Sequence, residues 1–187
     1  DNRISGNLAL FDIEKRNVMV TEKIGNENFG RVVGQVRSQG VELDLAGKLT
    51  DSLSLISSYA YTDARVTEDP KNNGKRMPNA ARHTASLFLT QDFGNIGLAA
   101  GDDLRAGAGA RYVSRRAGKD DNNFYLDAYT VADAFIAYSL PLNGYKVKWQ
   151  LNVKNLFDQT YYPSSGNNLR VAIGEPRQVV LRASVDF

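Results

Sequence analysis

The sequence predicts an all-β fold: an antiparallel β-barrel segment that crosses a membrane with its strands. Three observations point there. Apolar and polar residues alternate with period two in segments of about ten residues, separated by Gly, Asn, Asp and Pro clusters, while helical periodicity is scarce. Connections alternate between short and long, which gathers the long loops at one end, as in outer-membrane barrels. The last segment places Val179, Leu181, Ala183, Val185 and Phe187 on one face, with Gln178, Arg182, Ser184 and Asp186 among those between them. An apolar face ending on an aromatic is how such barrels usually finish.

In chain order, about nine strands are predicted. Those at 4 to 14 and 17 to 24, with a short turn at 15 to 17, are too mixed to assign a face. The strand at 32 to 49 follows a loop at 25 to 31 and sets Val41, Leu43, Leu45 and Leu49 against Glu42, Asp44 and Lys48. A short turn at 50 to 52 leads into 52 to 63. A long loop, 64 to 82, precedes the strand at 83 to 93. The strand at 104 to 115 sets Leu104, Ala106, Ala108, Ala110 and Tyr112 against Arg105, Arg111 and Arg115. After a loop at 116 to 127 comes 128 to 140, then a short turn at 141 to 144. The clearest strand, 145 to 155, puts Val147, Trp149, Leu151 and Val153 opposite Lys146, Lys148, Gln150, Asn152 and Lys154. A loop at 156 to 176 leads to the final strand, 177 to 187. The connection from 94 to 103 is long for a short-turn end.

A lipid-facing Lys or Arg at mid-membrane costs about 2 to 4 kcal/mol, so a bilayer would enforce this parity of charge. Arg37 and Asp63 break it near strand ends, and Phe88 and Phe135 fall on the polar parity. Tyr59, Tyr61, Tyr112, Tyr129 and Tyr138 lie near strand ends, where an amphipathic ring suits the interface.

Composition narrows the function classes. The chain has 187 residues, 42% of them hydrophobic, with a mean hydropathy of -0.38. No stretch approaches the roughly 18 consecutive apolar residues of a membrane helix. Lys and Arg total 23 against 21 acidic residues, which gives no electrostatic argument for nucleic acid. The absence of cysteine leaves the redox compartment open. One histidine, His83, with no G-x-S-x-G elbow argues against a hydrolase, and His83 reads as a rim or packing residue. No H-E-x-x-H or EF-hand loop offers a metal site. Glu42 and Asp44 read as a lumen-facing pair, Asp102 and Asp103 as a turn. Gly107 and Gly109 inside a strand suggest close packing or curvature. Alternation alone also fits a soluble ligand-binding barrel with its apolar face inward. Loop asymmetry, the terminal aromatic strand and the tyrosines weigh against that.

Four stretches carry a family resemblance. Gly40 to Gly47 followed by Leu53 to Asp63, Arg76 to Leu87, Asn152 to Asp158 with Tyr161 and Tyr162, and Gly174 to Phe187 together resemble the barrel of TonB-dependent siderophore receptors. The resemblance runs from about residue 30 to the end, in family order. It implies a 22-stranded barrel with a plugged lumen in the outer membrane of a Gram-negative bacterium. This chain would be its carboxy-terminal portion, without the plug domain and TonB box. Nine strands would leave the chain ends on opposite sides of the membrane.

The resemblance further implies a receptor that imports a ferric siderophore, energised through TonB, ExbB and ExbD by way of the missing amino-terminal region. The siderophore carries the iron, so no resident cofactor or metal ligand is expected. Phe124, Tyr125, Tyr161 and Tyr162 could supply aromatic surface for the ligand, and Arg115, Arg116 and Arg170 could meet its oxygens. Val179, Leu181, Val185 and Phe187 would form the signal read by the outer-membrane insertion machinery. Lipid and lipopolysaccharide would be the remaining partners. A passive porin is the main competing reading.

Overall fold

The computed structural model describes residues 3–186, and at 20–24, 28, 31 and 33 only their backbone. Its strands are β1 (Ile4–Ile24), β2 (Glu27–Lys48), β3 (Leu53–Glu68), β4 (His83–Gly94), β5 (Asp103–Val113), β6 (Arg116–Ala117), β7 (Tyr125–Leu126), β8 (Tyr129–Leu142), β9 (Tyr145–Lys154), β10 (Ser165–Asn167), β11 (Arg170–Val171) and β12 (Gln178–Asp186). Eight of them form one antiparallel sheet in the order β1-β2-β3-β4-β5-β8-β9-β12. β6 with β7, and β10 with β11, are small hairpins inside long loops. Among the described residues no helix is long and apolar enough to cross a membrane, which says nothing of strands.

The count of nine falls to eight at the start of the chain. The turn expected at 15 to 17 is a β-bulge: the register against β2 shifts between Lys15 and Val18, and Asn17 sits at φ 59°. Asparagine tolerates that left-handed conformation, so Arg16-Asn17 bends the strand without reversing it. The loop expected at 25 to 31 is a two-residue turn, with Gly25 at φ 64° and pairing resumed at Glu27. β1 and β2 are therefore one hairpin of 21- and 22-residue strands. An even count brings β1 in and β12 out on the same rim.

Register converts the period-two pattern into two faces. On one, Leu55, Leu89, Ala108, Ala134, Val153 and Val179 form an unbroken row across six strands. Two rows below it on the same face lie Leu104, Tyr138, Trp149 and Ala183, with the Tyr138 and Trp149 rings 6.3 Å apart. Above it, Tyr59 and Tyr112 flank Ala85. From Leu104 to Tyr112 is eight residues, about 27 Å along the strand, which matches an apolar band bounded by aromatic girdles. The predicted exceptions lie beyond this band and are paired: Arg37 donates to Asp12, and Asp63 sits 3.0 Å from Arg65 and 3.8 Å from Arg82. His83 joins the girdle, its Nδ1 2.9 Å from the Tyr59 hydroxyl.

The other face carries Glu42, Asp44, Arg105, Arg111, Lys148 and Arg182, and the two misplaced phenylalanines. Phe88 and Phe135 stack across β5 with ring centroids 6.0 Å apart and planes 2° from parallel. Gly107 and Gly109 of β5 make the room. A Cβ on Gly109 would lie 2.4 Å from Phe88 Cδ2, and one on Gly107 would lie 2.5 Å from Phe135 Cε1. Beside Phe135 lies a hollow of about 480 Å³ lined by Asp133, Asn152, Val180 and Arg182 among others.

The short-turn rim is pinned at the connection that looked too long. Asp102, 3% exposed, accepts hydrogen bonds from the backbone N–H groups of Ile96, Leu98 and Ala99 and from the Tyr138 hydroxyl. Burial on its own raises the Asp102 pKa. The N–H groups of Ala99 and Leu98, with the Tyr138 hydroxyl and the Ile96 N–H, outweigh it and hold the carboxyl below its usual value. The outer edges of β1 and β12 have no partner strand in this sheet. Open edges do not occur in hydrocarbon, so the sheet is one sector of a barrel that more strands close.

Candidate functional site

Three long segments, 69–82, 114–128 and 155–177, meet above the polar face at one end. There the small core gathers: Ala117, Leu126, Val131 and Tyr161 are the buried hydrophobic residues among those described. Tyr129, expected at the lipid interface, stands on the polar parity beside Val131. Its ring packs on Tyr161 at 4.6 Å, and the Arg116 guanidinium carbon lies 5.4 Å above it. The loops thus fold over the lumen side.

Side-chain amides and a hydroxyl tie the segments together. Asn79 donates its backbone N–H to Ala117 O at 2.7 Å. Its side chain gives a hydrogen bond to Ser165 O and receives one from Ser165 N–H, both at 2.9 Å, as a backbone partner would in a sheet. Ser165 Oγ donates to Gly118 O at 2.7 Å. Asn122 exchanges two bonds with the backbone of Arg76, at 2.8 and 2.9 Å. Asn155, 3% exposed, donates to Gln159 O and Glu175 O and accepts from Gln159 N–H, which folds 155–177 back on itself.

Between 114–128 and 155–177 opens a cleft of about 350 Å³, lined by Phe124, Tyr125, Leu126, Asp127, Tyr162 and Val171. Three of the seven predicted ligand contacts therefore line one space. Arg115 belongs with them, its guanidinium carbon 4.3 Å over the Tyr125 ring. Arg170 is exposed on β11, next to Val171 of the cleft wall.

The other two lie inside the loop cluster. Arg116 is 1% exposed and donates to Tyr162 O, while its Nη1 has no hydrogen-bond partner. Burial lowers its pKa, and Tyr129 offsets part of that. Tyr161 fits against Gly174, where an added Cβ would come within 2.2 Å of its ring. These two hold the cluster together beneath the cleft surface. Val179, Leu181 and Val185 are exposed on the outer face of β12, and Phe187 lies outside the described residues.

Sequence reasoning passed over Asn79, Asn122, Asn155 and Ser165. The signal was there in part: Asn79 and Asn155 sit inside two stretches that carried the family resemblance, and both have positive φ, 62° and 48°. Among the described residues no group of three His, Cys, Asp or Glu side chains could hold a metal ion.

The sequence profile of the TonB dependent receptor-like β-barrel matches residues 1–156. The chain belongs to the TonB-dependent receptor family. It is 38% identical to an uncharacterized TonB-dependent receptor of Haemophilus influenzae, over 98% of this chain and 56% of that protein. It is 39% identical to the metal-pseudopaline receptor CntO of Pseudomonas aeruginosa, over 100% of this chain and 26% of that protein. In structure it resembles BauA, the ferric preacinetobactin receptor of Acinetobacter baumannii, with a TM-score of 0.83 at 21% identity, covering 99% of this chain and 27% of that one. That last likeness concerns the fold. This TonB-dependent receptor chain thus spans about half of one curated relative and a quarter of the other. The family consists of transport receptors in the outer membrane of Gram-negative bacteria, and the apolar band fits that setting.

Proposed function

We propose that the receptor containing this chain binds a ferric siderophore at its outer face and imports it, energised through TonB, ExbB and ExbD. The observation that carries this reading is the cleft between 114–128 and 155–177, lined by Phe124, Tyr125 and Tyr162 with Arg115 over Tyr125. A chelate that already envelops its metal needs no protein ligands. It needs aromatic surface and a few donors for peripheral oxygens, which Arg115 and Arg170 supply. A plug domain and TonB box would lie in the part of the receptor outside this chain. Val179, Leu181, Val185 and Phe187 would present the assembly signal, since an apolar edge strand suits addition to another sheet.

The test is binding to the complete receptor in detergent, with ferrichrome, ferric enterobactin and a metal–pseudopaline complex as probes. At least one binds, and Phe124→Ala with Tyr162→Ala weakens it by about 1 to 3 kcal/mol per ring, or roughly five- to 150-fold. Equal affinity in wild type and the double variant would remove the cleft from the binding site. Binding of no chelate, with steady ion conductance in planar bilayers, favours the porin.

A further inference from the structure

We infer that Asn79 is a positioning residue for the cleft, setting the gap between its two walls from a third loop that does not line it. The inference rests on the reading of the cleft as the chelate site. Phe124, Tyr125, Leu126 and Asp127 form one wall and Tyr162 and Val171 the other, so the width depends on how two separate segments stand to each other. Asn79 is bonded to both. Its N–H holds Ala117 O, at the root of the first wall, and its side-chain amide makes both bonds to Ser165, three residues from Tyr162.

The surrounding chemistry makes this a clip rather than a chance contact. Asn79 is fixed at φ 62°, a conformation that asparagine and glycine accept and most residues resist. Ser165, 7% exposed, spends its hydroxyl on Gly118 O, so the two segments are fastened at adjacent points of the first wall. Gly118 closes the gap: a Cβ there would lie 2.5 Å from Phe124 Cδ1 and 2.8 Å from Ser165 Oγ. Phe124, a ring of the cleft, thus packs directly on the clip. A site whose walls are held in the bound spacing loses less ordering entropy when the ligand arrives, so releasing the clip weakens binding without touching a contact residue.

The substitution that isolates the side chain is Asn79→Gly, which keeps the backbone conformation and removes both bonds to Ser165. Asn79→Asp is the conservative partner, keeping the acceptor for Ser165 N–H and losing the donor. Both are made in the complete receptor. Nitroxide labels at Asp120→Cys and Asn168→Cys, both exposed, report the distance between the segments by pulsed electron paramagnetic resonance. Uptake of ferrichrome, ferric enterobactin and the metal–pseudopaline complex gives KM and kcat.

A single narrow distance peak is expected in the parent, a broad one in Asn79→Gly and an intermediate one in Asn79→Asp. KM should rise about tenfold in the glycine variant and less in the aspartate variant, with kcat unchanged, as loss of uniform binding requires. A merely structural role would instead cut the amount of folded receptor, lowering the maximal rate at constant KM. A narrow peak in Asn79→Gly overturns the clip. A broad peak with unchanged KM overturns its role in positioning. If the parent takes up none of the three chelates, the transport reading falls and the positioning role with it, while the distance measurement still decides the clip.

Discussion

Leu89→Arg is the sharpest test of which face meets lipid. Leu89 lies in the apolar row midway between the two aromatic levels, flanked by Leu55 on β3 and Ala108 on β5, and four residues along β4 from Ala85 at the tyrosine level. A cation there has no acid on its own parity within the band. At the bilayer midplane an arginine costs about 2 to 4 kcal/mol, which at 1.4 kcal/mol per tenfold lowers the folded-to-unfolded ratio by about 30- to 700-fold. Ala85→Arg, level with Tyr59 and Tyr112, costs about 0 to 1 kcal/mol. Ala60→Arg, on the opposite parity and facing Glu42, costs little. The assay is urea unfolding of the complete receptor in phospholipid vesicles, with midpoints converted at a common slope. Equal losses for Leu89→Arg and Ala60→Arg would refute the assignment of faces. A loss confined to Ala60→Arg would invert it, as a soluble barrel with an apolar interior would.

Three further outcomes are expected. Gly109→Val drives a side chain into Phe88 and the Leu87 carbonyl, 2.4 Å from its first carbon, and should cost about 1 to 3 kcal/mol in the same unfolding assay, with Phe88→Ala in the same receptor restoring part of it. Asp102→Asn should flatten the acid limb of thermal stability. Because the folded carboxyl is held below its usual value near 3.8, its contribution is complete above that value and disappears as pH falls through the lower folded one. A melting temperature that falls equally with acid in both proteins would exclude this role. Arg116→Ala should loosen 155–177 by removing the bond to Tyr162 O, read as faster hydrogen exchange at 159 to 174. Unchanged exchange would mean that the packing of Tyr161 on Tyr129 suffices.

What the sequence revealed and what it hid follow from the range of the forces involved. Side-chain alternation is local and is enforced by lipid along every strand, so seven strands and both faces were legible. Phe88 and Phe135 looked like errors because their explanation lies across β5, in glycines that only register brings beneath them. Arg16-Asn17 and Gly25-Asn26 have similar turn chemistry, and the difference between a bulge and a reversal is decided by pairing with β2, which composition does not encode. Within the loops, the aromatic and basic residues singled out fall in the two segments that wall the cleft. Whether Arg116 or Arg115 faces solvent depends on a core assembled from three segments up to 86 residues apart in sequence, as Asn79 and Ser165 are.

The sheet consists of four complete hairpins. Its first strand rises from the same rim to which its last returns, so its neighbours see the same polarity at either edge. Duplication or loss of such a unit would change the circumference of a barrel in steps of two strands and turn nothing inside out. Each hairpin brings its own loop to the same mouth. A lineage could therefore alter what its receptors hold by exchanging whole hairpins, leaving the lipid-facing row continuous across every seam.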